Sequence, residues 1–160
     1  MNRIQNIEDR LTASNFAVSR ERAIPSGERA DLVASRTQFS WKGLVVLSQH
    51  IVIREFENLS IDALNKFGDD CFQIGKSRNR VPLLRGMQFG YMIIPVAISK
   101  GVSEDVRRFV TQQPKERWAL FQFPVACDTE SGSTFYFEGT AMCGAFFFSD
   151  MRAIVEQYIA

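Results

Sequence analysis

The apolar positions of this chain follow two rhythms, one helical and one alternating. Ile4, Ile7 and Leu11 recur every three or four residues, which predicts an amphipathic helix over residues 2–14, with Asn15 to end it. An extended piece over 16–23 follows. Pro25-Ser26-Gly27 marks a turn, and Leu32 and Val33 centre a short strand over 29–36. The clearest β segment is 39–56, where Trp41, Leu44 to Leu47, Ile51 to Ile53 and Phe56 are strand formers and Gly43 marks a bend or hairpin. Ser60 is placed to cap a helix over 61–75, whose stripe is Ile61, Leu64, Phe67, Cys71 and Ile74; Gly68 weakens it.

Residues 75–90 read as a loop. Residues 91–99 are almost wholly apolar, as a central strand buried on both faces should be. Pro95 removes a ladder donor there, which a bulge would accommodate. Ser103 caps a short helix over 104–112 that Pro114 ends, and 118–127 reads as a long strand containing Pro124. Ser131-Gly132 lies in a hairpin turn over 128–133; 134–138 and 142–148 read as extended, and Ser149 as the cap of a last helix over 150–159. Helices interleaved with strands predict an α/β fold, with a mixed central sheet flanked by helices. The 160 residues suit one domain, 1–160.

Composition narrows the class. A hydrophobic fraction of 46% with 23% charged residues describes a chain that folds around a core. The net charge of +1 is too small for a nucleic-acid coat protein, although a local basic patch remains compatible with it. Cys71, Cys127 and Cys143 match no zinc or redox spacing and are expected as reduced thiols. No apolar run is long enough to span a membrane and residues 1–11 lack a signal core, so a cytoplasmic location is expected.

Candidate chemistry lies first in the N-terminal third. A helix, a short strand carrying Glu21, a turn, Asp31 at the start of the next strand, a long strand ending Ile53-Arg54-Glu55-Phe56-Glu57 and a helix from Ser60 follow in order. This order resembles the core of the PD-(D/E)XK, or restriction-endonuclease-like, superfamily. The resemblance implies such a core with an added C-terminal hairpin and helix. It implies Asp31 as first metal ligand, Glu55 or Glu57 as second, and Glu21 or Glu8 as accessory acid. Residues two apart on a strand face the same way, so two carboxylates could hold Mg²⁺ against a phosphate while a lysine orients water. The chain departs from the pattern at that lysine: Glu57 stands two residues after Glu55, and Lys66 lies on the following helix. The ordinary reading of Asp31 is a turn cap or a partner for Arg29, and of Glu55 and Glu57 a solvated strand end.

A second feature is the segment 71–103, which carries Lys76, Arg78, Arg80, Arg85 and Lys100 and no acidic residue. Such a cluster suits phosphates of DNA or RNA, with Phe89 and Tyr91 near enough in sequence to stack on unpaired bases. Its plain alternative is a helix C-terminus that favours cations. A third is the aromatic set Trp118, Phe121, Phe123, Phe135, Tyr136, Phe137 and Phe146 to Phe148, read as core or as a homodimer surface. His50, the one histidine, is either a general base or a bonded structural residue. Two functions follow: a nuclease-like, nucleic-acid-associated domain whose chemistry is altered or lost, or a homo-oligomeric interaction module acting through its aromatic strands. An enzyme of another class built on His50 ranks behind both.

Overall fold

Helix α1 (Arg3–Ala13) buries Ile4, Ile7 and Leu11, the stripe that its spacing predicts. It stops where Asn15 adopts a φ of 63°, a left-handed conformation that Asn tolerates better than most residues. The computed structural model describes residues 3–41, 44–78, 89–112, 116–117, 120–139 and 145–160.

Three antiparallel strands come next: β1 (Ala17–Ala23), β2 (Arg29–Ser40) and β3 (Val45–Phe56). The Pro25-Ser26-Gly27 turn joins the first two, with Gly27 at φ 85° donating its N–H to the Ile24 carbonyl. Strand β2 is longer than its two apolar residues suggest, because its far half pairs with β3 up to Ser40 and Val45. The β segment expected over 39–56, with a bend or hairpin marked at Gly43, divides into the end of β2 and the antiparallel β3. Helix α2 (Ile61–Arg78) then carries the chain back, and β4 (Phe89–Ser99) pairs with β3 in parallel.

On its other side β4 meets β6 (Leu120–Gln122) along its first half and β7 (Val125–Asp128) along its second, both parallel. The single strand expected over 118–127 is thus broken at Phe123-Pro124. The pairs Ile93–Gln122 and Val96–Val125 keep one register, so Pro124 stands level with Pro95. Two residues that lack ladder donors share one gap, which the Phe123 N–H crosses to the Ile93 carbonyl at 2.8 Å. This level pairing, and no bulge, is how a proline enters the middle of the sheet. Short strands β5 (Glu116–Arg117) and β8 (Thr134–Phe135) add to β6 and β7, and helix α3 (Glu104–Thr111) precedes them.

The alternation of β side chains sends Leu32, Leu47, Ile51, Ile53, Ile94, Val96 and Cys127 to one face, under α1 and α4 (Ala145–Ile154). It sends Val33, Val52, Ile93, Ala97 and Ala126 to the other face, under α2 and α3. Each fully buried Leu or Ile is worth roughly 1.5–3 kcal/mol relative to exposure. Helix α4 corrects the extended reading of 142–148 over residues 145–148; residues 142–144 lie outside the described residues. Phe147 and Phe148 begin a stripe that Met151, Ile154, Val155 and Tyr158 continue at helical spacing, and the last turn, Val155–Ile159, widens to π-helical geometry. Ser149 lies inside this helix, not at its start. Among the described residues no helix is long and apolar enough to cross a membrane.

Candidate anion-binding groove

Strand β1 begins only at Ala17, opposite Ser35, while β2 runs on to Ser40. The step at this corner of the sheet is an open groove of about 730 Å³. Its floor is one face of the β2–β3 pair. Ser35 lies opposite His50 and Thr37 opposite Ser48, and residues directly opposite on antiparallel strands share a face. Arg78, the last residue of α2, closes one wall, and Ser19 and Arg22 of β1 close another.

A chain of hydrogen bonds crosses the floor. Arg78 Nη1 donates to Ser35 Oγ at 2.9 Å, Ser35 Oγ lies 3.1 Å from His50 Nδ1, and His50 Nε2 lies 3.0 Å from Ser48 Oγ. A guanidinium only donates, so Ser35 accepts from it. The neutral ring can donate from one nitrogen and accept at the other, and each serine hydroxyl suits either role. Burial, followed by the nearby Arg78 charge, pushes His50 down to about 4. At neutral pH it is an uncharged spacer between two hydroxyls and a weak base.

Arg22 reaches the groove through a local irregularity. Arg20 turns to the α1 side of the sheet, where it pairs with Glu8. A regular strand would put Arg22 on that side too. Glu21 has a φ of 47°, which breaks the alternation, and the Arg22 Nε donates to Ser19 Oγ at 3.2 Å beside the groove. The Arg78 guanidinium has its pKa lowered by burial and then by the like charge of Arg22. Arg36 also lines the groove but is occupied. Its donors go to the Gln49 side-chain oxygen and the Ser14 carbonyl, and its guanidinium lies 4.2 Å from the centre of the Phe16 ring. The described lining holds three guanidiniums, the Ser19, Ser35, Thr37 and Ser48 hydroxyls and no carboxylate. That donor set fits an anion.

The carboxylates expected at a metal centre lie elsewhere. Asp31 Oδ2 accepts the Glu55 backbone N–H at 2.7 Å, so it ties the start of β2 to the end of β3. It is four residues from Ser35, about 14 Å along the strand. Glu55 and Glu57 are exposed, and Glu21 faces Arg29 at 3.7 Å. Glu8 is engaged by Arg20, and Lys66 faces Glu28 at 3.7 Å, which also pairs with Arg54. Among the described residues no three His, Cys, Asp or Glu side chains are grouped to hold a metal ion. Of the expected ligands, Asp31 and Glu55 are neighbours through the bond between the Asp31 carboxylate and the Glu55 N–H, while Glu21 and Glu8 are paired with arginines.

Of the basic cluster, Arg78 is in the groove, Lys76 is exposed on α2, and Arg80 and Arg85 fall outside the described residues, as do the side chains of Phe89 and Tyr91. The C-terminal aromatics that are described build core. Phe123 and Phe148 are buried with ring centres 6.3 Å apart, Phe137 stacks edge-on against Phe148, and Arg107 covers Phe135. Trp118 lies outside the described residues, as do the side chains of Phe121 and Phe146. Sequence reasoning missed Arg22, Ser35 and Ser48. Arg22 sits in a run of charged residues whose face alternation would misplace, and the two serines are visible only once β2 and β3 are in register.

Comparisons with protein-family models, with curated proteins and with solved structures return no match. The groove is read from its own geometry.

Proposed function

We propose that this domain binds nucleic acid, with phosphates held in the groove between Arg22 and Arg78. The observation that carries the reading is that the Arg22 and Arg78 guanidiniums line one groove, over a hydroxyl floor with no described carboxylate. Like charges brought together cost free energy, and a bound phosphate relieves that cost with charge-assisted hydrogen bonds. Two further features support it. The acid-free segment 71–103 runs on from Arg78 with Arg80 and Arg85. The order α1-β1-β2-β3-α2-β4, which carries the likeness to restriction-endonuclease-like domains, is kept in the folded chain. The proposal is one of binding on a nuclease-like scaffold, since among the described residues no three His, Cys, Asp or Glu side chains are grouped to hold a metal ion.

Fluorescence anisotropy with labelled DNA and RNA oligonucleotides at low salt tests this. Arg22→Ala and Arg78→Ala are each expected to weaken binding by roughly tenfold, the loss of a charge-assisted contact. Arg107→Ala, on α3 away from the groove, should bind as wild type. Undetectable low-salt binding by the wild-type protein ends the proposal. Magnesium-dependent cleavage lost in Asp31→Ala would restore the catalytic reading.

A further inference from the structure

The groove does not end at Thr37 and Ser48. The same face of the β2–β3 pair continues outward, with Phe39 two residues beyond Thr37 and directly opposite Val46. Past the strand end, Trp41 stands edge-on to Phe39, ring centres 4.9 Å apart and planes at 84°. Trp41 is 81% exposed, Phe39 45% and Leu44 67%; these are the large exposed hydrophobic side chains among the described residues. Ser35 to Phe39 spans about 14 Å of extended chain. Within that length the face changes from hydroxyl and guanidinium donors to open aromatic rings.

This inference rests on the phosphate-binding reading of the groove. We infer that the ligand is single-stranded nucleic acid, its backbone held at Arg22 and Arg78 and its unpaired bases stacked on Trp41 and Phe39. Continuity decides the occupant. A duplex keeps its bases stacked on one another and would offer the rings only phosphate and sugar. A single strand presents π-faces at the same spacing as its charges, and a cationic groove leading onto aromatic platforms matches both. The T-shaped contact with Phe39 leaves most of the Trp41 ring open to a ligand.

The test uses the full chain, a thymidine 12-mer and a duplex of equal length, read by anisotropy and by tryptophan emission. The single strand is expected to bind at least about tenfold tighter than the duplex and to quench the emission. Trp41→Ala should cost roughly tenfold in single-strand affinity and leave duplex binding unchanged. Trp41→Phe should restore most of that loss, whereas Trp41→Leu, apolar but without a π-face, should not. Because Trp41 is exposed, none of these changes threatens the fold. If Arg78→Ala weakens binding while Trp41→Ala and Phe39→Ala bind as wild type, the groove reading stands and this one is overturned. Equal affinity for duplex and single strand overturns it, as does a concentration-dependent dimer that Trp41→Ala abolishes, which would make a second copy the occupant. No binding of either oligonucleotide removes the phosphate reading itself.

Discussion

His50 shows how a titratable side chain can line a groove and still be structural in chemistry. Its two nitrogens meet Ser35 and Ser48, and its ring is held neutral by burial. The folded pKa of about 4 lies below the ordinary value of 6.5, so the unfolded chain takes up a proton first as pH falls. Stability is therefore fully present above pH 6.5 and declines between 6.5 and about 4, by about 3 kcal/mol. No other histidine titrates in that window. Urea unfolding at a series of pH values should show this decline in the wild type and its absence in His50→Gln. At the same scale, Asn15 as a helix stop was legible because its residue type carries the conformation. Glu21 was not, since nothing in its type announces a left-handed backbone, and the position of Arg22 depends on it.

Elements were legible where caps and stripes agree. Ser60 Oγ accepts the Ala63 N–H at 3.1 Å at the start of α2, and Ser103 Oγ accepts the Val106 N–H at the start of α3, both as their types and positions predict. Ser60→Ala is expected to cost about 1 kcal/mol and to lower the melting temperature by roughly 2–4 °C, measurable by calorimetry. Elements were misread where one rhythm hid another. Three consecutive phenylalanines satisfy an alternating pattern as easily as a helical one, and only the continuation through Met151, Ile154 and Tyr158 decides for α4. Residues 75–78 extend α2 by a turn beyond Gly75, and that turn carries Arg78 to the groove. Gly75 permits it by letting the helix approach β4, where a Cβ would lie 2.3 Å from the Ile93 side chain.

For the whole molecule, a net charge of +1 means that attraction to a polyanion must be local. Two guanidiniums releasing counterions from a single strand give a slope of log affinity against log salt of about −1.4, and a contribution from exposed Lys76 would bring it to about −2. A salt titration that returned a slope steeper than about −4 would move the contact off the groove and onto a wider surface. The mixed α/β architecture was legible as a whole because it follows from element order and from the apolar run of β4. The groove was not, because it is made by strands of unequal length. No local pattern states that β1 begins only opposite Ser35 while β2 continues.

The break at Glu21 has a second effect, on association between molecules. Strand β1 lies at one edge of the sheet, where unpaired N–H and C=O groups invite another strand to dock. The left-handed residue divides its seven residues into four before and two after, and charged Arg20, Glu21 and Arg22 flank the division. An incoming strand finds no continuous ladder of useful length to extend. The kink that turns Arg22 toward the groove thereby also protects this border of the sheet against growth by strand addition.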